Sequence, residues 1–166
     1  MAGSNEKRCK RKGNPKAEPK AQKKLSLGPS RLGDPDSIMA LHPSWSFSDC
    51  DTDECCDWAL YKSRLTDTFW DFILPKLCAF ESMTWSKILI EAKKQNHSIS
   101  LEKLNKVAKD RLADLQIEAE DIYSLRLSGK IRLYGFLVGP AYHIIWYDED
   151  HGDNDTCVCR SSLKGT

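Results

Sequence analysis

The chain contains 166 residues, a length usual for one modest globular domain. Its net charge of +1 is unevenly distributed. Residues 1–33 contain ten Lys or Arg and two Glu, so this segment carries +8. The remaining residues, 34–166, contain 15 basic and 22 acidic residues and carry about −7. An acidic body does not suit non-specific binding to a polyanion, so any contact with nucleic acid must come from the basic segment or from a local basic cluster.

The start of the chain is basic and polar, and no later window approaches 18 apolar residues. This pattern predicts neither a secretory signal nor a membrane span. The seven cysteines are an odd number, and without an export signal they are expected to be mostly reduced thiols. We therefore expect a cytoplasmic protein with no membrane partner.

Residues 1–37 are rich in Lys and Pro and nearly free of large apolar side chains. Such a segment cannot bury enough surface to offset the entropy cost of ordering, so we expect a disordered basic arm. The basic cluster at 7–12 fits an RNA or ribosome docking arm, an import signal or a solubilising tail, and the sequence leaves these open. One globular domain is expected at 38–152, followed by a flexible tail at 153–166.

Apolar residues recur at helical spacing in three segments of this domain. The first predicts a helix over about 57–80, which Pro75 should end or kink nearby. Thr84 suits the N-cap of a second helix, and Ser100 suits that of a third. We expect all three apolar stripes to pack in the core rather than to bind a ligand.

Past residue 117 the apolar residues begin to alternate with polar ones, and Gly129 and Gly139 interrupt the runs. Three strands are predicted, at about 122–127, 131–138 and 141–148. The expected fold class is α+β, with N-terminal helices packed on one face of a small antiparallel β-meander.

Loop length decides which side chains share a face of the meander, because successive strand residues point to opposite sides. In the second hairpin we expect a two-residue loop, Gly139-Pro140, and the resulting pairs are Phe136–His143, Tyr134–Ile145 and Arg132–Tyr147. In the first hairpin a three-residue loop at 128–130 is preferred, since it keeps Arg126 off the apolar face and places it opposite Arg132.

With these registers the meander has one apolar and one polar face. The apolar face contains Leu125, Leu127, Ile131, Leu133, Leu137, Tyr142, Ile144 and Trp146. The polar face contains Ser124, Arg126, Arg132, Tyr134, His143 and Tyr147, with Lys130 at its rim. Opposed Arg126 and Arg132 repel each other unless an anion lies between them, so the pair predicts a phosphate or carboxylate partner. Alternatively, both arginines are solvated or pair with Glu118, Glu120 or Asp121.

The last third of the chain carries a characteristic series of basic and aromatic residues. Residues 125–136 read LRLSGKIRLYGF, residues 142–148 read YHIIWYD, and His151 follows. With Trp45-Ser46-Phe47, this resembles, over roughly residues 44–152, a family of small bacterial and mobile-element proteins that end in LRxSGKxRxxG…WxDxxH. More distantly, helices followed by a basic meander resemble the RelE, HigB and ParE toxins and their superfamily of small metal-independent nucleases.

The resemblance implies helices packed on one face of a curved sheet whose other face is open to RNA. It also implies endonucleolytic cleavage of messenger RNA, often on the ribosome, and restraint by a cognate antitoxin protein. The acidic body, the basic arm and the Cys-rich acidic insert at 49–57 depart from that toxin pattern.

Cleavage of RNA without a metal needs a base for the 2′-hydroxyl proton, cations for the phosphorane and an acid for the leaving oxygen. On this hypothesis His143 and His151 are the candidate base and acid, because the unperturbed pKa of histidine, about 6.5, suits either role. Arg126 and Arg132 stabilise the charge of the phosphorane.

Three further residues complete the hypothetical site. Tyr134 is a candidate stacking platform or alternative proton donor. Lys130 and Tyr147 are expected to bind the substrate. The mechanism requires neither a metal nor another cofactor.

Two other classes of binding protein stay open as alternatives. A non-catalytic module binds nucleic acid or an acidic partner through the arm, and a peptide or protein through the sheet. A zinc protein has as its candidate ligands Cys50, Cys55 and Cys56 with Cys157, Cys159 or His151. The spacing of these cysteines departs from the usual zinc-binding pairs.

A metal-dependent nuclease is a further alternative. Its candidate ligands are Asp51, Asp53 and Glu54, or Asp148, Glu149 and Asp150. Consecutive acids in polar loops are usually solvated, so the sequence favours the metal-independent mechanism over this one.

Overall fold

In a computed structural model of the protein, the described residues are 38–149, His151 and Val158. The basic arm expected at 1–37 lies outside them, as does most of the tail expected at 153–166. Val158, however, is fully buried, and its carbonyl accepts a hydrogen bond from the N–H of Asn105. The globular domain therefore includes a residue beyond the boundary predicted at 152.

One mixed sheet organises the domain. Its strands are β1 (Ser44–Ser46), β2 (His97–Ser100), β3 (Asp121–Ser128), β4 (Ile131–Val138) and β5 (Ala141–Asp148). They lie in the order β1-β5-β4-β3-β2, with β1 parallel to β5 and the other pairs antiparallel. The α+β class and the three meander strands are confirmed. The outer strands β1 and β2 are missing from the prediction because they are short and mainly polar.

One long helical run lies between β1 and β2. Helix α1 (Lys62–Thr68) continues through a π-helical segment (Phe69–Ile73) into helix α2 (Leu74–Glu81). Pro75 does not end this run, and the irregularity near it is the π-helical segment, which stops two residues before the proline. The N–H of Leu74 bonds to the carbonyl of Phe69, and this wider turn displaces the carbonyl groups that a proline ring meets in a regular α-helix.

The other two predicted helices are present, but neither is α-helical throughout. The second is mainly a π-helical segment (Ser86–Glu91), and the third comprises a 3₁₀ turn (Leu101–Lys103) and helix α3 (Lys106–Asp114). Ser100 ends β2 and holds the N-cap position of the 3₁₀ turn, but its side chain makes no capping hydrogen bond. The side-chain oxygen of Asn105 caps α3, at 2.7 Å from the N–H nitrogen of Ala108. None of the helices in the described part of the chain is long and apolar enough to cross a membrane.

The helices do not all precede the sheet, and they cover both of its faces. On the first face, α1, α2 and the segment around Trp85 pack on Leu125, Leu133, Tyr142 and Ile144. On the second face, α3 and the loop before α1 pack on the sheet through Trp58, Leu104, Ala108, Leu112, Ile122, Tyr134, Ile145 and Trp146. The face that was expected to be open and polar is therefore largely covered.

A β-bulge between β4 and β5 accounts for much of this difference. Phe136 pairs with His143 as predicted, but Gly135 pairs with Ile144 and Tyr134 with Trp146, so Ile145 is the extra residue. The predicted pairs Tyr134–Ile145 and Arg132–Tyr147 are therefore wrong. Beyond the bulge the alternation is reversed, which moves Trp146 to the second face and Tyr147 to the first.

In the first hairpin Arg126 lies opposite Arg132 as predicted, but the connecting loop is not the predicted one. Ser128 pairs with Ile131, so only Gly129 and Lys130 connect the strands rather than the three residues expected. A register shift between Arg126 and Ser128 restores the pairing of Arg126 with Arg132. The opposed arginines are therefore confirmed.

A buried ion pair joins the acidic loop to the second face. The Asp51 carboxylate is fully buried and accepts hydrogen bonds from Nε and Nη2 of Arg111 on α3, at 2.7 and 2.6 Å. It also accepts hydrogen bonds from the Trp146 indole at 3.1 Å and from the N–H of Asp53 at 3.1 Å. The Asp51 backbone pairs in turn with Ile145, at 3.0 Å. One carboxylate thus connects the loop, α3 and β5.

The surroundings of Asp51 act on its pKa in opposite directions. Burial is the largest single effect and raises the pKa, but hydrogen bonds from Arg111, the Asp53 backbone, Trp146 and Cys56 together lower it below its ordinary value. A carboxyl whose pKa is lower in the folded state contributes its full stability above the unfolded-state pKa, about 3.9. That contribution is lost as the pH falls through the lower, folded-state pKa.

Replacing Arg111 with Ala should lower the free energy of unfolding by about 3–5 kcal/mol, because it leaves the buried Asp51 carboxylate without its cation. Equilibrium unfolding in urea measures the change. Asp110→Ala, at the exposed neighbouring position on α3, serves as the control and should change the stability by about 0.5 kcal/mol or less. A loss in Arg111→Ala no larger than that of the control would contradict the role of this ion pair.

Gly135→Ala should destabilise the protein more than Gly129→Ala does. A Cβ atom at Gly135 would overlap the carbonyl oxygen of His143 across the bulge, and backbone cannot move aside as a side chain can, so we expect a loss of about 3 kcal/mol. A Cβ atom at Gly129 meets nothing within 4 Å, although its φ of +29° makes Ala cost about 1–2 kcal/mol. Thermal and urea unfolding of both variants test this order, and the reverse order would contradict the bulge.

Candidate functional site

A cluster of basic and polar side chains lies on the second face, near the hairpin between β3 and β4. Across the sheet, His97 on β2 pairs with Ser124 on β3, and Ser124 pairs with Tyr134 on β4. His97 shares a face with Ile99, two residues on, which packs in the second-face core. The row thus runs from the exposed His97 at the sheet edge to the fully buried Tyr134.

His151 closes this cluster from the segment that follows β5. Its Nδ1 and the hydroxyl of Tyr134 lie 2.8 Å apart and share a hydrogen bond. The backbone N–H of His151 donates to the carbonyl of Lys130 at 3.2 Å, and its Nδ1 lies 3.9 Å from the buried Asp148 carboxylate. The His151 side chain is still 24% exposed, so the ring is held in place and reachable by a ligand.

The positive charges of the cluster act on one another. The pKa of His97 is lowered from its ordinary value, mainly because the sheet partly shields its ring from water and further by the charges of His151, Arg132 and Lys103. His97 and His151 therefore share one electrostatic environment, although they come from opposite edges of the region. A pair of histidines beside an arginine is an arrangement that binds anions and exchanges protons with them.

Arg132 lies on β4, between charged residues of the two neighbouring strands. Its Nη1 donates to the carbonyls of Gly129 and Ile131, at 3.0 and 2.9 Å, so the side chain is bent toward the hairpin. On one side Arg132 pairs with Arg126, and on the other with Asp148 of β5. Asp148 thus brings a buried carboxylate to the strand next to the arginine pair, which reduces the net positive charge of this corner of the sheet.

Asn96 fixes the backbone beside Arg126. Its Oδ1 accepts a hydrogen bond from the N–H of Arg126 at 2.8 Å, and its Nδ2 donates to the carbonyl of Ile88 at 3.0 Å. The residue is 3% exposed, so both bonds are shielded from water. This amide continues the hydrogen-bond ladder of β3 past the point where β2 begins.

The structure separates His143 from the other predicted catalytic residues. It lies opposite Phe136, four residues along β4 from Arg132, or about 13 Å. Its Nδ1 contacts the Asp49 carboxylate at 2.6 Å, and its ring stacks on that of Phe136 with centroids 5.0 Å apart. A histidine paired with a carboxylate in this way holds the loop of Asp49 against the sheet.

Two predicted roles for tyrosines do not fit the structure. Tyr134 is fully buried and therefore cannot stack on a substrate base, although its hydroxyl orients His151. Tyr147 is 1% exposed and packs in the first-face core, because the bulge turns its side chain to that face. Lys130 is exposed beside His151, which agrees with its predicted place at the rim.

Of the candidate zinc ligands, Cys157 and Cys159 lie outside the described residues. Cys50, Cys56 and Cys78 are free thiols, as expected for mostly reduced cysteines, and Cys55 is disulfide-bonded. Burial raises the pKa of Cys50 to about 12 and that of Cys56 to about 11, which disfavours the thiolate form that binds zinc. Within the described ranges, no three His, Cys, Asp or Glu side chains are arranged to hold a metal ion.

The acidic insert at 49–57 was expected to be solvated, but two of its carboxylates pair with an arginine. Asp51 is the buried partner of Arg111, and Asp53 lies 3.3 Å from the same guanidinium group. These two carboxylates hold the loop against α3. They are therefore not available as ligands of the metal-dependent nuclease that was considered for Asp51, Asp53 and Glu54. No feature of the run in sequence distinguishes Asp51 from its exposed neighbours.

His97 is the member of the cluster that the sequence does not reveal. It stands in the polar stretch Asn96–Ser100, between two segments with strong apolar patterns. Only the pairing of β2 with β3 brings it beside Arg132 and His151.

Comparisons of the chain with protein-family models, with curated protein sequences and with solved structures give no match.

Removing either neighbouring charge should raise the pKa of His97 toward its ordinary value. We expect this in both Arg132→Ala and His151→Ala, since each variant removes a positive charge that disfavours protonation of His97. NMR titration of the imidazole signals measures the pKa directly. His42→Ala, whose ring contacts the Glu81 carbonyl instead, is the control and should leave it unchanged. An unchanged pKa in both cluster variants would contradict the proximity of the three groups.

Proposed function

We propose that this protein is a metal-independent endoribonuclease, and that its active site is the cluster of His97, His151 and Arg132. The observation that carries the proposal is the placing of two histidines and an arginine in one partly exposed corner of the sheet, where their charges interact. Such a set supplies a base, an acid and a cation, which are the groups that cleavage of RNA through its 2′-hydroxyl requires.

The two histidines take different roles. His97 has a lowered pKa and is therefore neutral near pH 7, which suits a base that accepts the 2′-hydroxyl proton. His151 is bonded through Nδ1 to Tyr134, which leaves Nε2 as the atom that donates a proton to the leaving 5′ oxygen. Tyr134 is a positioning residue in this scheme.

The reaction proceeds by transesterification. The 2′ oxygen loses its proton to His97 and forms a bond to phosphorus, while the bond from phosphorus to the 5′ oxygen breaks and that oxygen takes the proton of His151. The products are a 2′,3′-cyclic phosphate and a free 5′-hydroxyl. Arg132 stabilises the charge of the phosphorane, and Arg126 and Lys130 bind neighbouring phosphates of the chain.

The biological setting that we propose is that of a toxin-like protein acting in the cytoplasm. Its substrate would be messenger RNA, bound to the ribosome or free, and a cognate antitoxin protein would restrain it. The charge distribution supports a local mode of binding, because the domain is acidic as a whole and its site is a small basic cluster.

A non-catalytic anion-binding module is the second candidate. The Asp148 carboxylate favours it, because it lies 3.9 Å from Nδ1 of His151, on the residue paired with Arg132, and so brings negative charge to the place where the phosphorane would form. Such a module binds RNA through the same residues and leaves it intact. The two candidates therefore differ in cleavage and not in the binding surface.

The purified protein should cleave single-stranded RNA in the presence of EDTA. Arg132→Ala should lower the rate about 10²–10³-fold, and His97→Ala and His151→Ala about 10²–10⁴-fold each. Gel analysis of end-labelled RNA measures the rate and identifies the cyclic phosphate product.

The His42→Ala variant is the matched control, since His42 lies outside the cluster, at the carbonyl of Glu81. Binding of uncleavable 2′-deoxy RNA, measured in parallel, separates loss of chemistry from loss of binding. RNA that is bound but not cleaved supports the module instead, and cleavage that survives in all three cluster variants excludes this active site.

A further inference from the structure

The helical run that covers the first face also presents a group of aromatic rings to solvent. Trp70 is 66% exposed and Phe47 45%, and they belong to a surface that also includes Tyr61 and Phe69. Phe69 contacts the rings of Trp70 and Phe47, with centroid distances of 5.3 and 6.3 Å. We refer to these four residues as the aromatic surface. Large exposed apolar patches are uncommon on soluble proteins, and those that occur often mark interaction sites.

The aromatic surface coincides with the π-helical segment Phe69–Ile73. In that segment Ile73 is fully buried and Phe69 is partly buried, whereas Trp70 and Phe72 are exposed. Single π-helical turns are often found at functional positions of helices. No packing requirement of the described core explains two exposed rings at these positions.

A groove runs along the same surface. It has a volume of about 480 Å³, and its lining residues are Leu60, Tyr61, Leu65, Thr66, Asp67, Phe69 and Trp70. Asp67 is one of the lining residues, and the exposed Asp71 follows Trp70 in the chain. The lining is therefore mainly apolar, with Asp67 as its acidic member and a second acidic residue next to Trp70.

We propose that the aromatic surface binds a cationic amphipathic segment of a partner protein. The apolar side chains of such a segment fill the groove, and its Lys or Arg side chains meet Asp67 and Asp71. The face of an exposed Trp attracts the same cations, so rings and carboxylates select one kind of ligand. The acidic character of the domain, near −7 outside residues 1–33, adds long-range attraction for it.

Charge argues against the other occupants. Carboxylates beside the rings repel the phosphates of nucleic acids and the anionic head groups of lipids. Two copies of the surface would bring the acidic groups of one against those of the other, which disfavours a symmetric dimer. The proposal is independent of the ribonuclease site, because that site lies on the second face of the sheet and the aromatic surface on the helices that cover the first.

A synthetic amphipathic peptide, with Leu and Lys at helical spacing, is the probe. Titrated into the full-length protein, it should shift the NMR signal of the Trp70 indole, and calorimetry gives the affinity. Trp70→Ala and, separately, Phe47→Ala should each weaken binding, the first about tenfold or more, as expected for aromatic residues of an interface. The side chains of Trp70 and Phe47 are 66% and 45% exposed, so neither substitution should impair folding.

Val107→Ala is the matched control, because Val107 is 67% exposed on α3, away from the groove. It should leave the affinity unchanged. Asp67→Asn combined with Asp71→Asn should weaken binding and reduce its dependence on salt. The same peptide with Glu in place of Lys should not bind.

Four outcomes overturn the proposal: no binding of the Lys peptide to the full-length protein, equal binding of the Glu peptide, equal affinity in Trp70→Ala and Val107→Ala, and a dimer in solution that dissociates in Trp70→Ala. The last would assign the surface to a second copy. If binding appears only after residues 1–33 are deleted, the basic arm of the chain itself is the occupant, and the proposal of a partner protein fails.

Discussion

The buried carboxylate of Asp51 is the constraint on which the second face depends. Moving a carboxylate out of water costs several kcal/mol, and it is tolerated here because a bidentate guanidinium, an indole N–H and a backbone N–H all point at it. Those donors come from α3, β5 and the loop itself. The loop therefore has one position in which its charge is satisfied, and that position places Trp58 over the sheet.

The bulge at Gly135 is the second constraint, and it decides the composition of both faces. Because Ile145 is extra, Trp146 joins Tyr134 on the second face, where its indole reaches Asp51, and Asp148 comes opposite Arg132. Without the bulge Tyr147 would occupy the place of Asp148, and the arginines would have no carboxylate beside them. The ion pair and the basic cluster thus depend on the same irregularity, which only a glycine permits.

The features that could be predicted from sequence are those carried by local patterns. Alternation and turn residues located three strands to within a residue. The pairing of Arg126 with Arg132 was also predicted, but the loop is one residue shorter than expected and a register shift in β3 makes up the difference. The bulge could not be predicted, because it depends on a backbone approach between Gly135 and His143 that no periodicity records. Asp51 and His97 were missed for a related reason, since each lies in a polar stretch of the sequence. The partner of Asp51 is Arg111, 60 residues further along the chain. The charge nearest in kind to His97 is that of His151, 54 residues further along. The separation of His143 from Arg132 already follows from the predicted pairing of His143 with Phe136, which lies four residues along β4 from Arg132.

The amide of Asn96 has a consequence for the assembly of the protein. An eight-residue strand beside a four-residue one leaves backbone groups at the edge of the sheet, and such edges recruit strands from other chains. Asn96 occupies the N–H of Arg126 where β2 no longer does, with a side chain that cannot be extended into a further strand. Edge-to-edge aggregation is thereby discouraged next to the basic cluster, and that margin of the sheet stays accessible to ligands rather than to neighbouring copies.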